Sequence, residues 1–174
     1  MRQAAGALIA GAVAVIVVGQ ARAQESGQPL AACAEAVGAY LSANHGKEAG
    51  NAFASRSLLS LSADGLVTFA DSGQGGGEGF APFTGGQGAW RCLASDAGSL
   101  RLSATILDFT LATPDWPNHR IGRLDIDATV EATKGTMNGT MTLLMAPFDG
   151  DPFTAAELVP DAAGPFDAVR IVAP

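Results

Sequence analysis

The chain has 174 residues, 22 of them glycine, with 10 Lys+Arg against 17 Asp+Glu and a formal charge of −7. Two of the basic residues, Arg2 and Arg22, lie in the first 23 positions, so the rest of the chain carries eight basic side chains against 17 acidic ones, a formal charge of −9. Such an excess repels phosphate backbones and anionic lipid, which excludes nucleic acid and the membrane surface as expected partners and favours solubility.

Residues 1–23 have the layout of a cleaved secretory signal peptide: Met1-Arg2-Gln3, an uncharged apolar run from Ala4 to Gly19, and the small residues of Ala21-Arg22-Ala23. The apolar run is shorter than the roughly 20 residues that span a bilayer as a helix. Cleavage after Ala23 is expected, with export to the periplasm or the exterior and no stable membrane insertion afterwards. The remaining 151 residues fit one domain with a core of its own. Residues 24–35 are expected as a flexible mature N-terminus and 36–174 as the domain.

Two cysteines, Cys33 and Cys92, stand in this exported part. In an oxidising compartment a pair predicts a disulfide. The competing possibility is a lipobox at Leu30-Ala31-Ala32-Cys33. Gln24–Pro29 separates it from the apolar run, and a good cleavage site already precedes it. With one cysteine pair and two histidines there is no zinc spacing, and neither a metal nor a cofactor is expected.

Leu30–Tyr40 is Ala-rich, starts as a helical turn, and leads into a first strand near Val37–Leu41. Ser57–Ser62 and Leu66–Ala70 are strand runs joined by Ala63-Asp64-Gly65, a hairpin signal because glycine takes the positive φ of the tight turn. Gly88–Leu93 is a short strand and Leu100–Leu111 a long one. In Arg120–Thr133, Leu124, Ile126, Ala128 and Val130 alternate with Asp125, Asp127, Thr129 and Glu131. After a turn at Lys134-Gly135, Met137, Gly139, Met141, Leu143 and Met145 alternate with polar residues. Ala168–Val172 is a last strand. About eight strands in hairpin order, one face apolar and the other wet, predict an all-β antiparallel sheet that closes to remove its edges. An up-and-down barrel is expected, with a β-sandwich as the alternative.

Two segments are expected as long loops. Ser72–Gly88 holds eight glycines around Phe80-Ala81-Pro82-Phe83, and Pro147–Pro165 is acidic. Loops of this length are often lids or binding loops.

The order Leu58–Val67, Asp71-Ser72-Gly73 with its Gly-rich loop, Gly88-Ala89-Trp90, Gly122–Ile126 and Gly135–Gly139 resembles small secreted bacterial proteins of the lipocalin-like, or calycin, type. The resemblance covers roughly the 90 central residues and, more loosely, Gly38-Ala39-Tyr40. Lipocalins carry Gly-x-Trp on the first strand, where Trp closes the barrel bottom. Here that place has Tyr40, and Gly-x-Trp stands at Gly88–Trp90. The resemblance implies a barrel with an apolar cavity for a small ligand.

The Gly-rich loop lacks the Gly-Lys-Ser/Thr and following helix of a phosphate cradle. Phe80 and Phe83 either fold over the barrel mouth as a lid or seal the core. Trp90, Met137, Met141 and Met145 are further candidates for contact with a ligand, the methionines equally suited to filling a core. Asp108 continues the face of Leu100, Leu102, Ala104 and Ile106. It points inward near the mouth, where it would orient a ligand hydroxyl or act as a base, or it is solvated if a bulge switches the faces. The cost of a lone buried carboxylate weighs toward the solvated alternative. His119, in a turn with Asp115 and Arg120, is the other acid/base candidate. Asp149-Gly150-Asp151 lacks the spacing of a calcium loop. The expected function is non-enzymatic binding of a small apolar or amphipathic ligand. The alternatives are a cyclase or isomerase on the same barrel, and a surface-interaction protein with a filled barrel.

Overall fold

The computed structural model describes residues 31–46, 53–94 and 99–174. The expected signal peptide and the segment Gln24–Pro29 lie outside these residues. Eight antiparallel strands follow one another in chain order: β1 Gly38–His45, β2 Phe53–Leu61, β3 Leu66–Asp71, β4 Gly86–Ala94, β5 Leu100–Phe109, β6 Arg120–Glu131, β7 Thr136–Pro147 and β8 Val159–Arg170. Each pairs with the next, and β8 returns to β1 with Tyr40 opposite Arg170 and Asn44 opposite Phe166. The sheet is a closed barrel, as its alternating pattern predicts.

Register follows the same pattern. Leu124, Ile126, Ala128, Val130, Met137, Met141 and Met145 are buried, with Leu143 packed partly against them. Asp125 sits on the outer side in an ion pair with Arg123 at 2.9 Å. The turns at Gly65 (φ 87°) and Gly135 (φ 65°) take the positive φ that their hairpins need.

One end is closed. Ala31–Ala36 forms a short 3-10 helix within and just beyond the segment expected to be flexible, and Cys33 and Ala36 are fully buried. The Cys33–Cys92 disulfide, with Cα atoms 5.9 Å apart, ties this helix to β4. Tyr40 donates its hydroxyl to the Ala36 carbonyl at 2.8 Å, and the Arg170 guanidinium lies over the Tyr40 ring at 5.4 Å. Arg170 also donates to the Tyr40 hydroxyl at 2.7 Å and to the Glu35 carbonyl. Above this plug, Leu59, Val67, Ile126, Val130, Met137 and Phe166 fill the interior.

Two loop expectations need correction. The Ser72–Gly88 loop ends early, because β4 already begins at Gly86. Pro147–Pro165 is not one loop, because β8 already begins at Val159. Its first part, Val159–Gly164, pairs with β7, while β1 reaches β8 only from Phe166 onward. The Pro160 and Pro165 rings, which cannot donate to a ladder, are tolerated in a strand whose early part has only one neighbour.

Candidate functional site at the barrel mouth

The opposite end of the barrel is hollow. A cavity of about 710 Å³ opens there, walled by Phe69, Phe83, Leu124, Met141 and Leu143 and by polar residues of β1, β2, β3 and β5. Its flank runs along the early part of β8, from Pro160 to Pro165.

Two polar features face this space. The first is a network on β1, β2 and β3. Asp71 Oδ2 accepts from Ser57 Oγ at 2.6 Å, Ser55 Oγ at 2.9 Å and Asn44 Nδ2 at 3.2 Å. Its Oδ1 accepts from the Gly73 amide at 2.7 Å, so this carboxylate is fully held. Asn44 Nδ2 also donates to Ser55 and Ser57, and Asn44 Oδ1 accepts from buried Ser42 at 2.9 Å. Alternation places these residues there: Ser55 and Ser57 share a face with Leu59 and Leu61, and Asp71 follows Val67 and Phe69. Asn44, Ser55, Ser57 and Asp71 were not among the candidates drawn from the sequence. Carrying the two-residue period to the ends of the strands would have found them.

The second feature is Asp108. It is only 8% exposed and lines the cavity, so the weighting toward a solvated residue is overturned. The pairing of β5 with β6 runs without a shift from Leu100 to Phe109, and no bulge turns Asp108 outward. Asp108 stands opposite Gly122, where a Cβ would come 2.2 Å from its Oδ1, so glycine supplies the room. No hydrogen bond or ion pair among the described residues reaches its carboxyl. Burial alone pushes its pKa up to about 6.

The other candidates divide. Phe83 lines the cavity and bridges to Thr110, and the neighbouring Thr84 amide donates to the Phe109 carbonyl at 2.9 Å. This stretch of the Gly-rich loop is therefore laced to the end of β5. Phe80 is 44% exposed, outside the cavity lining, with its ring over Gly77. Met141 lines the cavity. Met145 and Met137 do not, and Met137 is packed in the filled half. Trp90 is also buried there, its Nε1 donating to the Ser62 carbonyl at 2.9 Å.

His119 is exposed, with Nδ1 3.0 Å from the Thr110 carbonyl oxygen and its ring 5.6 Å from that of Phe148. It is not among the lining residues, so Asp108 and His119 do not share a site. Asp151 caps a turn by accepting from the Phe153 amide at 2.8 Å and Thr154 Oγ1 at 2.9 Å, which hold its pKa below the usual carboxylate value.

Among the described residues, no three His, Cys, Asp or Glu side chains come together to hold a metal, and no helix is long and apolar enough to cross a membrane. Compared with protein-family models, with curated proteins and with solved structures, the chain has no match. The closed eight-stranded antiparallel barrel is compatible with a lipocalin-like fold.

Proposed function

We propose that this protein is an exported, non-enzymatic barrel of lipocalin-like type that holds one small amphipathic ligand in its mouth. The observation that carries this reading is the division of the barrel interior. One half is filled by close-packed side chains. The other leaves about 710 Å³ with an apolar wall and a polar rim. That volume lies in the range of small-molecule sites, and apolar walls with a few convergent polar groups are their usual chemistry. The disulfide fits a chain that folds in an oxidising compartment.

Native mass spectrometry of the protein from its own host tests both parts. A signal peptide cleaved after Ala23 gives a polypeptide beginning at Gln24, and a carrier gives an added mass of one small molecule per chain. An acylated N-terminal Cys33 would refute the cleavage. A chain without added mass that also gives no thermal shift with fatty acids, terpenoids and aromatic dyes would refute the carrier.

A second reading is favoured by Asp108, a lone buried carboxyl with a pKa near 6 inside a cavity, which is the state of a general base or acid working near neutrality. In that reading the barrel is an isomerase or cyclase, Asp108 moves the proton and the apolar wall sets the substrate's shape. Conversion, rather than unchanged release, of a co-purified ligand would favour it.

A further inference from the structure

We propose that the mouth cavity selects cationic amphipathic ligands, with an ammonium head seated at Asp108 and an apolar body against Phe69, Phe83, Leu124, Met141 and Leu143. This rests on the reading of the mouth as a ligand cavity and adds the charge of the ligand to it.

Three observations carry the choice. Asp108 is more than nine-tenths buried, lines the cavity, and has no hydrogen-bond or ion-pair partner among the described residues. A buried carboxylate without a donor is costly, and a ligand N⁺–H would supply the missing bond in its stronger, charge-assisted form. The described lining residues include three carboxylates, Asp71, Asp108 and Asp161, and no Lys or Arg. Among the described lining residues a fatty-acid carboxylate would meet three like-charged groups and no Lys or Arg to pair with. Finally, the acidic chain as a whole concentrates cations at a cleft lined with its own sign.

Asp108 is the anchor rather than Asp71, whose two oxygens already accept four hydrogen bonds. Asp108 shares the described lining with few other titratable groups. β3 brings Asp71, β6 brings Gly122, β4 brings no titratable side chain to the lining, and the Gly-rich loop brings Phe83. The lining also includes Asp161 of β8 and His45 of β1, whose Nε2 lies 3.4 Å from Asp167 Oδ2.

The test is calorimetric titration of the mature protein with octylamine, octanol and octanoate, which share one apolar body and differ in head charge. At a pH of about 7.5 the amine should bind about tenfold tighter than the alcohol, and octanoate more weakly than either. Asp108→Asn should bring the amine to the alcohol's level while leaving octanol within about twofold. In the unaltered protein the amine's advantage should shrink at a pH of about 5, where Asp108 holds its proton and the aliphatic ammonium is still charged. That second readout stands even if the variant does not fold. Octanoate binding as tightly as octylamine, or an amine advantage that is the same at both pH values, would overturn the charge selection. In that case octanol binding leaves the cavity reading standing. If none of the three binds, the cavity reading itself fails and this proposal with it.

Discussion

At the residue scale, Asp108 and Gly122 form one unit: a carboxyl that the barrel buries and a glycine that makes space for it. Burial raises the Asp108 pKa from 3.8 to about 6, so between those values the folded protein binds the proton more tightly than the unfolded chain does. Stability from this group is therefore greatest below about pH 4, declines as pH rises through that window, and stays reduced above about 6. Allowing for water that reaches the cavity, the penalty above that window is on the order of 2 kcal/mol. Asp108→Asn should accordingly raise Tm by several degrees at about pH 8 and hardly at all at about pH 4, as read by parallel thermal melts. The difference between variant and parent isolates Asp108 from Asp64 and Asp151. Hydrogen bonds lower the pKa of those two residues, giving them the opposite pH dependence in both proteins. Gly122→Ala drives a methyl group into the Asp108 carboxyl and should cost about 1–3 kcal/mol in urea denaturation. Part of that loss should be recovered in combination with Asp108→Ala, a coupling that a double-mutant cycle measures.

At the element scale, the 3-10 helix Ala31–Ala36 and its disulfide decide how the barrel is closed. Six residues of 3-10 helix hold little stability alone, since such runs are short and their hydrogen bonds poorly aligned. Cys33–Cys92 closes a loop of 59 positions, for which chain entropy gives about 4 kcal/mol. The paired substitution Cys33→Ser and Cys92→Ser should lower the unfolding free energy by up to that amount, measured by urea titration with midpoint and slope fitted separately, since the freed unfolded chain exposes more surface and steepens the slope. The start of β8 carries the opposite lesson about legibility. Val159-Pro160-Asp161-Ala162-Ala163-Gly164-Pro165 has neither alternation nor β-branched density, so nothing local marks it as a strand. It is a strand because the late part of β7, from Met141 to Met145, presents a free edge to it.

At the scale of the whole molecule, the barrel is two halves of different packing, and the same substitution should report the difference. Met137 sits in the filled half at 1% exposure, whereas Met141, also buried, faces the mouth cavity. Met137→Ala should cost about 3–5 kcal/mol, because its neighbours cannot collapse into the space. Met141→Ala only enlarges a cavity that exists and should cost about 1–2 kcal/mol, since the atoms removed had fewer partners. Equal losses in denaturant titrations would mean that the mouth is packed like the rest.

The all-β class, the hairpins at Gly65 and Gly135, the register of β6 and β7 and the cysteine pair could each be read from the sequence. They depend on local rules: a side-chain period of two, a glycine where φ is positive, and the tendency of an even number of thiols to pair in an oxidising compartment. What these rules do not contain is the meeting of strands distant in sequence. Asp71 takes its serine and asparagine donors from the neighbouring strands β1 and β2, but only closure of β8 onto β1 makes the inside that buries Asp108, with no donor among the described residues. The sequence alone weighs Asp108 as solvated because it prices the carboxylate without Gly122 opposite or a cavity beside it. The tertiary structure decides otherwise, because an unbroken β5–β6 register fixes the direction of the side chain before its solvation is counted.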